Sequence, residues 1–183
     1  MTGALGSVVT GSPTLNLDNT TGDLSVLKIT NIDVWRVNSG SGLLGALTPI
    51  NLNFERDTSN AYVNLGLGMT QASGTFLFPS TGIWHVQALV SATYSSAATH
   101  WGLEIQYSNN GVGGTYNASW EGGWASFAAN ARTHSIVTGL FDITNTTNQA
   151  IRFAISSQQG SSTIFASGSY NRNHFIFTRL MDT

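Results

Sequence analysis

The chain has no cysteine, one lysine (Lys28) and three prolines in 183 residues. Without cysteine there is no disulfide and no thiolate metal site, as fits a chain made in a reducing cytosol. Charged residues make up 9%, against about 25% in an average soluble domain. The net charge is −2 and the six arginines are scattered. No basic stripe is available to grip phosphates, so nucleic acid is not an expected partner. No apolar run approaches the roughly 18 residues of a membrane span, and no membrane insertion is expected. The opening MTGALGSVVTGS lacks the positive region that begins a secretory signal. A sustained helical period is also missing.

What the chain has in quantity is neutral polarity. Ser, Thr and Asn together supply 59 of the 183 residues, so the surface is covered by hydrogen-bonding groups rather than by charge. Apolar residues reach 41%, enough for one well-buried domain and unlike a disordered composition. They fall in short β-branched and aromatic runs between Gly, Asn and Ser clusters, which points to an all-β fold. Strands are expected at Ile50–Arg56, Ala61–Met69, Gly74–Phe78, Ile83–Tyr94, Trp101–Tyr107, Thr115–Glu121, Thr133–Ile143, Ala150–Ser156, Thr163–Ala166 and His174–Met181. Ten strands at this spacing suggest two packed antiparallel sheets, with turns at SNNGVGG, TNTTN and SQQGSS.

Residues 1–48 differ from the rest, and a boundary is expected between them and residues 49–183. VNSGSGLLGALTP has the composition of a flexible connector. Upstream, LSVLKITNIDVWRV is one isolated strand-like stretch whose Leu24, Ile29, Ile32 and Trp35 need a partner. It is either an anchoring arm that docks on a sister chain or a larger assembly, or a further strand of the sandwich. In the last expected strand Phe175 and Phe177 share one face while Ile176 and Leu180 share the other. Ile136 and Leu140 likewise oppose Val137 and Phe141. Apolar residues on both faces imply cover on both sides, and a second copy of the chain is the economical cover.

In FLFPSTGIWHVQALV, Pro79 removes a backbone donor and Gly82 tolerates a tight turn, so one strand stops and another starts. This stretch resembles the central signature of the globular head of complement component one-q and its tumour-necrosis-factor relatives. Phe78, Pro79, Gly82, Trp84 and Val86 stand in the matching places. The ending SGSYNRNHFIFTRLMDT is similar to the last, Phe-rich strand of that family. LNFERDTSNAY and GMTQASGTFLFPSTGIW resemble versions of the domain found in tailed-phage virion proteins, as does the terminal F-T-x-L-x-D-T. The resemblance covers about residues 50–183. Val86 and Ala88 depart from it, since bulky aromatics are usual there, and the core must be filled differently. The resemblance implies a ten-strand jelly roll, compact trimers about a three-fold axis, and a binding or structural role. Trp84, Phe141, Phe175, Ile176, Phe177 and Leu180 are then expected in the core or the trimer interface.

For catalysis the sequence offers little. Glu104 and Glu121 are the carboxylates of interest in the strand region, and nothing in the local sequence pairs them. The four histidines are widely spaced, so no metal ligand is named and no cofactor is expected. TYNASWEGGWASF is the most unusual stretch. Exposed, Tyr116, Trp120 and Trp124 would make a stacking platform for sugar rings beside Glu121; buried, they are core or interface aromatics. The expected function is that of a non-enzymatic virion protein made in the host cytoplasm: a trimeric capsid decoration or cement protein at the virion surface. Its expected partners are sister chains and a major capsid or other virion protein bound through residues 1–48. The alternative is the glycan- or receptor-binding head of a short tail fibre or spike.

Overall fold

Gly82–Thr93 shows in one strand how the sequence makes the fold. Gly82, Trp84, Val86, Ala88, Val90 and Ala92 are buried, and every residue between them is half-buried. That is the period of two that a pleated strand imposes on its side chains. The turn before it is held by its own tryptophan, whose Nε1 donates to the Ser80 carbonyl at 3.1 Å. Gly82 has φ +131°, and a Cβ there would run into the Met181 carbonyl oxygen, so no other residue fits without strain.

The computed structural model describes residues 29–39, 43–44, 48–51, 53–58, 64–93, 98–123, 125–128, 131–158, 162–166 and 172–182. Among these, thirteen strands follow one another: β1 (Asn31–Val37), β2 (Leu43–Leu44), β3 (Phe54–Arg56), β4 (Thr70–Ala72), β5 (Thr75–Leu77), β6 (Gly82–Thr93), β7 (Ala98–Ser108), β8 (Asn117–Glu121), β9 (Ala125–Phe127), β10 (Arg132–Ile143), β11 (Ala150–Gln158), β12 (Ser162–Ile164) and β13 (His174–Met181). They form two antiparallel sheets. One runs β2-β12-β6-β13-β1-β3 with β10 on the other side of β6; the other runs β4-β5-β11-β7-β8 with β9 also against β7. Neighbours in each sheet are mostly distant in sequence, as in a jelly roll rather than a meander.

Between the sheets lies a core rich in aromatic rings. Phe76 meets Trp35 edge-on at 5.4 Å and Phe54 at 5.0 Å, and Phe153 lies 4.7 Å from Phe175. Such offset and edge contacts are the favoured ones for ring quadrupoles. The small residues of β6 are explained by register. Val86 stands opposite Phe177 and Ala88 opposite Phe175, so rings on the neighbouring strand fill the space. Trp84, Phe175 and Phe177 are fully buried and Phe141 nearly so: all four are core.

Of the two readings of residues 31–37, an anchoring arm or a further strand of the sandwich, the fold takes the second: β1 lies between β13 and β3. The reason is chemical as well as apolar. Asp33, 1% exposed, accepts from Arg56 Nε at 2.8 Å and Nη2 at 3.1 Å, from Trp35 Nε1 at 2.7 Å and from the Met69 amide at 2.6 Å. Ile32 sits half-buried on the outward face and Trp35 in the core, while Ile29 remains exposed. Leu24 lies outside the described residues. The connector contributes too: β2 pairs β12, and the Thr48 carbonyl accepts from the Ile155 amide at 3.2 Å.

One expectation is corrected: the described part of Ala61–Met69 is not a regular strand. Leu65 makes one isolated bridge to Ile32, and beyond it the backbone serves side chains instead. Asn31 Nδ2 donates to the Leu67 carbonyl at 2.7 Å, and Arg56 Nη2 donates to the Met69 carbonyl at 2.6 Å.

Candidate functional site

The face of the β6 sheet that points away from the core is the surface with the clearest character. Strand register arranges it in rows. Val34, Ile176, Gln87 and Thr138 form one row across β1, β13, β6 and β10. Ile32, Thr178, His85 and Leu140 form the next, and His174, Leu89 and Ile136 a third. None of these is Asp, Glu, Lys or Arg. Ile136 is 44% exposed and Leu140 53%. Ile176 is half-buried on the side of β13 opposite the buried Phe175 and Phe177, and Leu180, also half-buried, is the extra residue at an irregularity between Arg179 and Met181.

At the β10 edge the patch gains an aromatic. Trp120 on β8 is 43% exposed, and its ring lies on Gly139: a Cβ at that position would stand 2.7 Å from Trp120 Cγ. His85, Trp120, Thr138, Gly139 and Leu140 line a shallow, almost wholly apolar pocket of about 280 Å³. His85 Nε2 and Thr138 Oγ1 are 2.7 Å apart and satisfy one another. At the far side of the face, burial lowers the pKa of His174 from its ordinary value of 6.5, because the charged imidazolium would lose solvation there.

The residues considered for a sugar platform stand in different surroundings. Tyr116 lies under the Arg152 guanidinium, 4.1 Å from its ring centroid, while Trp120 turns to β10. Glu121 is exposed on β8, and Trp124 lies outside the described residues. The carboxylates thought unpaired are directly opposite each other, Glu104 on β7 facing Glu121 on β8. Glu104 is buried and accepts from Gln106 Nε2, and Gln106 Oε1 accepts from Arg152 Nε at 2.6 Å. That chain anchors Glu104 within the sheet. Long-range strand pairing of this kind leaves no trace in local spacing, which is why the sequence did not reveal it.

Sequence comparison is silent: no protein-family model matches the chain, and no curated protein matches it. Structural comparison is not. Eiger, a TNF from S. frugiperda, aligns with TM-score 0.63 at 8% identity, over 85% of this chain and 96% of that one. Murine APRIL aligns with TM-score 0.57 at 13% identity, over 82% of this chain and 98% of that one. The fold is a TNF-like jelly roll. The globular domain of zebrafish complement 1qA protein aligns with TM-score 0.47 at 11% identity, over 85% of this chain and all of that one. At these identities the likeness is one of fold. For this TNF-like jelly roll, the functional reading comes from its own surface.

Proposed function

We propose that the chain is a non-enzymatic module that assembles with two further copies of itself through the outward face of the β6 sheet. The observation that carries this reading is the pair Ile136 and Leu140 standing open on that face, with the exposed Trp120 at its β10 edge. Covering the exposed parts of these three contributes about 1 kcal/mol each. Association costs at least about 4 kcal/mol in lost freedom, so three side chains do not suffice. The contact therefore extends over the rows that include the half-buried Ile176 and Leu89. A three-fold arrangement is what the sequence resemblance to the one-q and TNF group implies.

The same resemblance, in its tailed-phage form, supports a virion role. The trimer serves as a decoration or cement protein at local three-fold points of a capsid, bridging capsomers. Residues 1–28 then carry the contact to the capsid or another virion protein, since β1 belongs to the domain itself. Counting copies per virion tests this reading. Hundreds of copies are expected of a decoration protein, and a few tens or fewer would contradict it.

One observation favours a second reading, the glycan-binding head of a fibre or spike: the Trp120 ring is 43% exposed. Trp120→Ala separates the two. Loss of trimers assigns the ring to the interface, whereas intact trimers that no longer bind host cells assign it to a receptor.

A further inference from the structure

Arg132 and Arg172 both stack on one ring, Phe165, with guanidinium carbons 3.6 Å and 4.2 Å from its centroid. The two cations are therefore within about 8 Å of each other, a separation at which like charges repel. With Ser91, Thr133 and His134 they line an open pocket of about 280 Å³ at the β6/β10 end of the sheet. Among the described residues, no carboxylate lines it.

The pocket is held in shape from beneath. Asn173, 1% exposed, accepts from the Ser91 amide at 2.6 Å and donates to the Phe165 carbonyl at 2.9 Å. The Phe165 amide donates to the Ser91 carbonyl at 2.8 Å, and Ser91 Oγ donates to the Arg172 carbonyl at 2.8 Å. One buried asparagine thus fixes the ring, and with Ser91 it fixes the backbone that carries the second arginine. Arg132 and His134 project from β10, both exposed, on the side of the strand that faces away from the core.

We propose that this pocket binds a tetrahedral oxyanion, a phosphate or sulfate group carried by a sugar-sized molecule. Two guanidinium forks present parallel N–H donors suited to paired oxygens, and stacking on Phe165 restrains both arginines before the ligand arrives. Thr133 adds a neutral hydroxyl and His134 an imidazole edge. The pocket's volume leaves room for the ring that carries the anion. The site does not depend on the assembly proposed above.

The test titrates the full chain at constant ionic strength with inorganic phosphate, glucose 6-phosphate and glucose, following the His134 imidazole resonances by NMR. Phosphate and glucose 6-phosphate are expected to give saturable shifts, the sugar phosphate at the lower concentration, and glucose none. Arg132→Gln and Arg172→Gln should each weaken binding at least tenfold with thermal unfolding unchanged within a few degrees. If glucose 6-phosphate binds no tighter than phosphate, the sugar-sized part of the proposal fails. If neither saturates by about 10 mM, or if both variants bind like the parent, the site itself is refuted.

Discussion

Asp33 and Arg56 form a two-pronged ion pair between neighbouring strands, with both carboxylate oxygens engaged and the aspartate 1% exposed. The guanidinium also lies 4.9 Å from the Trp35 ring centroid, so the pair is packed as well as paired. Removing Arg56 leaves a buried carboxylate without its counter-ion, and removing Asp33 strips the Trp35 Nε1 and Met69 amide donors of their acceptor. Asp33→Ala is expected to cost about 3 kcal/mol in urea unfolding, and Arg56→Ala a similar amount. The double variant should lose less than the sum of the two, because the second change removes the orphan the first created. Full additivity would mean that the pair does not tie β1 into the sheet.

Gly139 lies against Trp120 so closely that any side chain must displace the ring. Gly139→Ala is expected to leave secondary structure intact by circular dichroism and to shift Trp120 emission towards the red. If Trp120 belongs to the contact between copies, the same variant weakens assembly. A variant with unaltered emission would show that the ring does not rest there.

Ile136 and Leu140 point outward from β10, while Val137 and Phe141 on the same strand point into the core. Ile136→Asp or Leu140→Asp should therefore leave monomer stability within about 0.5 kcal/mol, since both sites are solvated in the single chain. Either change should convert trimers to monomers in sedimentation velocity. Val137→Asp serves as the contrasting case and should unfold the chain.

How far the sequence foretold this arrangement depends on the range of the interactions concerned. The alternation in β6 and β13 was legible because each residue's face follows from its parity. The turn at Pro79–Gly82 was legible because proline and glycine constrain the backbone locally. The placement of β1 was left open, since Asp33 and Arg56 are far apart in sequence and nothing local announces their pairing. The cross-strand meeting of Glu104 with Glu121 and the shared ring of Arg132 and Arg172 leave no local signal for the same reason. Tyr116 and Trp120 illustrate the converse. Close in sequence, they sit against different partners, because β8 has a register shift between them and neighbouring positions on a strand face opposite ways.

Burial of His174 sets a pH dependence whose sign is fixed. The pKa is lowered in the folded chain, so between that lowered value and 6.5 the unfolded chain binds more protons. Stability is therefore full above 6.5 and falls as pH drops through this window. Leu89 faces His174 on β6, and the nearest outward charge on β1 is Arg36, which pairs with Glu55 and Asp57. His174→Gln should flatten the slope in chemical unfolding measured from pH 7.5 to 5. An unchanged slope would assign the dependence to another group.

The mass of the particle in solution tests the central claim most directly. Sedimentation equilibrium or multi-angle light scattering of the purified chain should return three times the 19.4 kDa chain mass, independent of loading over a wide concentration range. A stable 19.4 kDa monomer at the same concentrations would contradict assembly through the β6 sheet.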